Sequence, residues 1–174
     1  MAPHPYVTPK HYEGIGQVVV EWARLETAMI RVFGKLLNGN AAEAIVIFWH
    51  MAYRDRRDRL INLVLLNHED PNTALRKEFD TLMTRMEAAY QIRNTAAHSV
   101  WTKGKGPDTI SPTVIKAKGA PLKISGHNID KEDFSARRFQ KEAEKIERLG
   151  KDFREFFSAN FGVEFPSIAK DSPD

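Results

Sequence analysis

Ile15, Val18, Trp22, Leu25, Met29, Val32 and Leu36 recur at alternating spacings of three and four. A helix turns about 100° per residue, so these side chains fall on one stripe; a strand would scatter them over both faces. A stripe of this length demands a long amphipathic helix packed along most of its length. Thr8-Pro9 opens it, with Thr as N-cap and Pro at the first helical position. Asn38-Gly39 stops it.

The same reasoning predicts three more helices. Asn40, with Glu43 three residues on, forms a capping box for a second helix marked by Ile45, Phe48, Ala52, Leu60, Leu63 and Leu66. The run Arg54-Asp55-Arg56-Arg57-Asp58-Arg59 within it reads as a solvated face with alternating charges, the alternative being an ion-pair network or a partner contact. Asp70-Pro71 starts a third helix that reaches His98, with Leu75, Phe79, Leu82, Met86, Tyr90, Arg93 and Ala97 along one side. Asp130 caps a fourth helix that runs from Lys131 to about Phe161, burying Ala136, Phe139, Ala143, Ile146, Leu149, Phe153, Phe156 and Phe157.

Periodicity fails between Ser99 and His127, where four Gly and three Pro fall among β-branched residues. Thr113 to Ala117 and Leu122 to Gly126 read as a hairpin whose prolines, Pro112 and Pro121, confine it to edge strands. Lys103, Lys105, Lys116, Lys118 and Lys123 face a single acid there, Asp108, a local charge of +4 against +3 for the whole chain. These lysines suit an RNA backbone or simply keep a hairpin edge solvated. The expected fold is therefore all-α: an up-and-down four-helix bundle with a β-hairpin-like insert between the third and fourth helices. An N-terminal arm covers residues 1–8, the helical domain 9–161 with its insert at 99–129, and a flexible tail 162–174.

Composition narrows the function. The 174 residues contain no Cys, which excludes disulfides, thiolate metal sites and cysteine nucleophiles. The longest apolar run, Ala44 to Trp49, is far shorter than the roughly 20 residues of a membrane span. No signal-peptide pattern opens the chain, so a soluble, cytoplasmic protein without membrane contact is expected. Gly14-Ile15-Gly16 lacks both the third glycine and a preceding strand, so it is no dinucleotide fingerprint. His4, His11, His50, His68 and His127 are spaced like surface or capping residues, and no metal or other cofactor is implied.

One cluster does suggest chemistry. Arg93, Asn94 and His98 stand within two turns beside small residues. Arg93 occupies a position where the stripe calls for an apolar group, and a charge there must be paired or used. Asn94 and His98 lie about 40° apart around a helix, but Arg93 and His98 about 140° apart. They converge only if the long Arg side chain wraps, if the helix end loosens, or if two subunits pool residues. The alternative is a buried Arg93 paired with Glu26 or Glu87, and His98 as an ordinary helix-end residue.

Arg, a polar residue, and His after four intervening positions resembles the motif of HEPN-domain proteins, many of which are RNases. Trp22-Ala23-Arg24-Leu25-Glu26 is similar to the tryptophan-and-Leu-Glu stretch of many bacterial members, and the order of helices fits. The resemblance covers roughly Thr8 to Phe161. It implies a metal-independent endoribonuclease with a toxin-like or phage-defence role, working as a homodimer on RNA, with room for a regulatory protein partner. His98 would move the proton, Arg93 neutralise the phosphorane, Asn94 bind phosphate or hold the imidazole, and Glu26 orient Arg93. The family also contains silent members, so a non-catalytic helical module that binds a nucleotide, RNA or protein is the second reading. In toxins paired with a nucleotidyltransferase a Tyr stands two residues after the His; Val100 stands there in this chain.

Overall fold

The computed structural model describes residues 5–67, 73–118, 123–128 and 133–166, with the backbone alone for 114–118 and 123–128. The chain is mostly helical with a small antiparallel sheet. Among the described residues the helices are α1 (Pro9–Leu36), α2 (Ala41–Phe48), α3 (Tyr53–Asn67), α4 (Ala74–His98) and α5 (Ala136–Phe161). The strands are β1 (Val100–Lys103), β2 (Thr109–Lys118), β3 (Lys123–Asn128) and β4 (Phe134–Ser135). The chain divides into two compact units, residues 1–23 with 86–148 and residues 24–85 with 149–174.

In the first unit, α1 begins at the expected cap, in an unforeseen form. The Thr8 N–H donates to His11 Nδ1 at 3.3 Å, and the His11 N–H returns to Thr8 Oγ1 at 3.4 Å. His11 therefore takes the place that Glu holds in an ordinary capping box. An amide can only donate, so Nδ1 is the acceptor and the ring proton sits on Nε2, which donates to Asp108 O at 3.1 Å. His11 is thus a cap, as its position suggested, but a buried one rather than a surface residue. A Cβ on Gly14 would lie 2.6 Å from Phe139 Cβ, so only glycine admits the α1–α5 contact there.

The hairpin is present and belongs to a larger sheet. Strand β2 is central: β1 pairs along Ile110 to Thr113 on one edge, while β3 (Thr113 to Lys118) and β4 (Thr109 and Ile110) share the other. Pro112 therefore sits in a central strand, against expectation. It falls between the β3 and β4 pairings, where no ladder bond to its missing N–H is called for. Phe134 of β4, Phe139 of α5 and Trp101 of β1 form an aromatic cluster with centroids 5.1 to 5.7 Å apart. Because residues 134–135 join the sheet, the last helix starts at Ala136 rather than Lys131. Ser135 Oγ accepts from the Arg138 N–H at 3.2 Å and caps it, and Asp130 lies outside the described residues.

Asp133 ties this corner together. Ser111 Oγ donates to Oδ1 at 2.6 Å, Thr109 Oγ1 to Oδ2 at 3.3 Å, and the Lys105 N–H also reaches Oδ2. The Ser111 hydroxyl first, then the Lys105 amide, holds this carboxyl below the usual carboxylate range.

In the second unit the expected second helix is two. Its capping box forms as expected: Asn40 N–H to Glu43 Oε2 at 2.9 Å and Glu43 N–H to Asn40 Oδ1 at 3.0 Å. The buried positions are then Ala44 and Phe48, followed by Tyr53, Arg56, Leu60 and Val64. Phe48 to Tyr53 is a step of five, which would swing the later row about 140° off the core on a straight helix. The break between α2 and α3 resets that phase. Ile45, Ala52 and Leu66 are exposed in consequence. Phe48 stacks on Phe33 of α1 with centroids 4.0 Å apart, and Phe79 packs on Phe156 and Phe157. Gly162, at φ 61, ends α5 with its N–H on Ser158 O at 3.2 Å. The expected cap at Asp70 lies outside the described residues, as does the expected tail beyond residue 166. The first tail residues, 162–166, are described, and Val163 is packed down rather than part of a flexible tail: it is buried, with its N–H on Phe157 O at 3.2 Å.

Candidate active site

The site candidates stand at the C-terminal end of α4, in the first unit. Ala89 and Ala96 are buried and Ala97 is exposed, so the inward row runs Met86, Ala89, Ala96 rather than through Ala97. Arg93 and Asn94 are half-buried beside that row, and His98 is exposed. Tyr90, one turn earlier, packs on the buried Trp22 of α1 at 5.8 Å. Directly after the helix, Trp101 anchors β1 against Phe134 and Phe139. The helix end is thus held on both sides of Arg93 and His98.

Arg93 wraps. Its Nη1 donates to Asn94 Oδ1 at 3.1 Å and to His98 Nε2 at 3.2 Å. The 140° between Arg93 and His98 is bridged within one chain by the length of the Arg side chain. A guanidinium has no acceptor, so His98 Nε2 must offer its lone pair and the ring proton sits on Nδ1. An Nε2 that accepts in this contact presents the lone pair a general base requires. The carbonyl end of a helix carries partial negative charge, which favours a cation in its last turn.

Among the described residues the guanidinium's partners are these two neutral groups. Arg93 Nε and the neighbouring Ser99 Oγ are buried and make no hydrogen bond. Ser99 escaped the sequence reading because a lone Ser after a helix carries no signal of its own. Glu26, expected to orient Arg93, instead pairs with Arg56, and both are largely buried. Of the charge run 54–59, Arg54, Asp55, Asp58 and Arg59 are exposed, Arg57 is half-buried and Arg56 is buried. Glu87 accepts from Gln91 Nε2 at 2.8 Å.

Of the insert lysines, Lys103 and Lys105 are exposed, in β1 and in the turn after it. Lys116 and Lys118 lie in β2, where the register sets Lys118 opposite Lys123. A cleft of about 410 Å³ in the same unit is lined by Gln17, Glu21, Gln140, Ala143, Glu144 and Glu147. Three glutamates would repel phosphate, so the cleft is not where RNA would bind. No three His, Asp or Glu side chains come together as a metal site among the described residues, and none of the described helices is long and apolar enough to cross a membrane.

No protein-family model, no curated protein and no solved structure matches this chain.

Proposed function

We propose that the chain is a metal-independent endoribonuclease whose reacting groups are Arg93, Asn94 and His98. The observation that carries the reading is the 3.2 Å contact from Arg93 to His98 Nε2, made by a guanidinium with no carboxylate partner among the described residues. An always-charged fork resting on neutral groups can transfer to an anion with little loss. A phosphodiester that draws the guanidinium away also frees the imidazole lone pair.

The chemistry follows from what RNA supplies. The 2′-hydroxyl is tethered to the phosphate it attacks, which removes the entropy cost of bringing a nucleophile. His98 takes the 2′-hydroxyl proton or delivers one to the departing 5′-oxygen. The 2′-oxygen bonds to phosphorus, the bond to the 5′-oxygen breaks, and the products are a 2′,3′-cyclic phosphate and a 5′-hydroxyl. Arg93 carries the charge that grows on the phosphorane oxygens. Asn94 binds phosphate beside it. Two copies pooling their Arg and His residues would supply a base and an acid at once. Exposed Lys103 and Lys105, with Lys116 and Lys118, track the RNA backbone. The HEPN-like fold, with the long helices as an up-and-down bundle, the toxin-like or phage-defence role, the regulatory partner and the cytoplasmic setting belong to the same reading.

RNA cleavage by the purified protein in EDTA tests it, with His98→Ala and Arg93→Ala alongside. Cleavage should persist in EDTA and fall by about 10²–10⁴ in His98→Ala. Wild-type cleavage by His98→Ala, or a strict need for added Mg²⁺, would sink the mechanism and leave a binding module.

A further inference from the structure

Two buried polar atoms at the end of α4 make no hydrogen bond, Arg93 Nε and Ser99 Oγ. Such atoms are rare, because each gives up water and receives nothing in return. One is an N–H that can only donate, and the other is an oxygen that can accept. Each is what the other lacks. The Ser99 N–H still bonds Thr95 O at 3.2 Å, so the helical path runs on through Ser99. On that path His98 lies about 140° from Arg93 in one direction and Ser99 about 120° in the other. The route to His98 passes Asn94 and the exposed Ala97, while the route to Ser99 passes the buried Ala96. A guanidinium is a planar fork, and its Nη1 and its Nε–H stand on opposite edges. Here Nη1 is engaged on the outward route, by Asn94 and His98. Nε is shut off from water, as Ser99 Oγ is.

We infer that Ser99 is a positioning residue for Arg93. At rest, Asn94 and His98 hold one edge of the fork and the other edge makes no bond. When a phosphodiester draws Nη1 off His98, the fork turns inward past Ala96 and Nε donates to Ser99 Oγ. Ala96 carries only a methyl group, so it leaves that route open. The hydroxyl then fixes the plane of the guanidinium, and its remaining N–H groups meet the phosphate oxygens in one orientation. The resting chain thus carries a bond that is made only when the site is loaded. A buried hydroxyl without a partner costs stability at rest, and the loaded site recovers that cost. The inference rests on the reading of Arg93 as the group that binds phosphate; it does not require that a bond be cut.

Ser99→Ala and Ser99→Thr test it on the full chain. The measurements are thermal melts, single-turnover RNA cleavage, and binding of a 2′-deoxy oligonucleotide, which lacks the nucleophile and cannot be cut by this route. Ser99→Ala deletes an unsatisfied buried hydroxyl, so it should melt at or above the wild-type temperature. It should nonetheless bind the deoxy oligonucleotide about 10- to 100-fold more weakly, the effect of losing one hydrogen bond to a charged group, and cleave RNA less well by a similar factor. Ser99→Thr keeps a hydroxyl and should recover most of both. A Ser99→Ala protein that binds like the wild type overturns the inference. So does one that melts below the wild type, since its hydroxyl is then already bonded at rest. A wild type that binds the deoxy oligonucleotide but cuts no RNA defeats the nuclease reading alone, and weaker binding by Ser99→Ala then still supports the role of Ser99. A wild type that binds neither oligonucleotide removes Arg93 as a phosphate group and the inference with it.

Discussion

Two arginines in this molecule meet opposite fates. Arg56, in the second unit, is buried and pairs with Glu26, which is itself largely buried. Arg93, in the first, is half-buried and rests on the amide oxygen of Asn94 and the ring nitrogen of His98. Arg56 lies in the buried row of its helix, and Arg93 beside the buried row of α4. The difference lies in what remains of the charge. Glu26 cancels that of Arg56, and a pair taken out of water serves structure and little else. Asn94 and His98 fill donors of Arg93 without cancelling anything. A positive charge kept in place by neutral partners is a means of binding an anion.

The contrast can be broken most sharply through activity. If the charge of Arg93 is for a phosphorane, Arg93→Ala should cut RNA cleavage by about 10²–10⁴, near the loss expected for His98→Ala. Arg93→Lys should recover only part of it, since an ammonium lacks the planar fork. Single-turnover cleavage assays measure both. Equal cleavage by all four proteins would erase the functional half of the comparison.

Stability sharpens the other half. Glu26→Ala leaves Arg56 buried and unpaired, so urea unfolding should show a loss of about 3–5 kcal/mol. Arg93→Ala should cost less than about 1 kcal/mol, because no buried ion pair is broken. If the two losses are alike, Arg93 is a structural residue as Arg56 is. Replacing both members of the buried pair, Arg56→Met with Glu26→Leu, should be neutral or raise stability by about 1–4 kcal/mol, as often found when a desolvated pair gives way to well-packed apolar groups.

The smallest effect concerns a carboxylate held without any arginine fork. Hydroxyls and amides around Asp133 hold its carboxyl below the ordinary range. A depressed folded value means that the folded state favours the ionised form. Its contribution is therefore full above the ordinary aspartate value of about 3.9 and fades as pH falls through the lower folded value. Asp133→Asn should melt a few degrees lower at pH 7, and the gap should close in acid. A gap that stays constant down to pH 2 would remove ionisation from the account. Thermal melts followed by circular dichroism across pH decide it.

How far the sequence told this in advance varies by element. In α1 the stripe Val18, Trp22, Leu25, Met29 and Val32 is buried as its spacing required. In α5 the row from Phe139 to Phe157 is buried likewise. Those helices have polar residues between apolar ones, so their phase is legible. The α2–α3 break was not, because an unbroken apolar run has no phase to read. The sheet was half legible: the hairpin announced itself through Gly, Pro and β-branched residues, but β1 and β4 are short and their pairing is long-range. At the site, the sequence singled out Arg93, Asn94 and His98, and helix geometry posed the problem of their convergence. It could not show that the Arg side chain solves it, since a rotamer is set by its surroundings. Nor could it reveal that Glu26 is taken by Arg56, a choice among many charges that only packing makes. The burial of His11 depended on a contact with Asp108, far along the chain.

The division of the chain has a bearing on how it is made. Residues 1–23 belong with 86–148, and residues 24–85 with 149–174. Each unit thus combines an early segment with a late one, and α5 contributes to both. A ribosome releases residues in order, at roughly 5–20 each second. Neither unit can be complete until the last helix has emerged, so the apolar rows of α1 and α4 must wait in a half-built state. That wait is a period of exposure to aggregation, and it makes the closing helix the step on which the yield of folded protein turns.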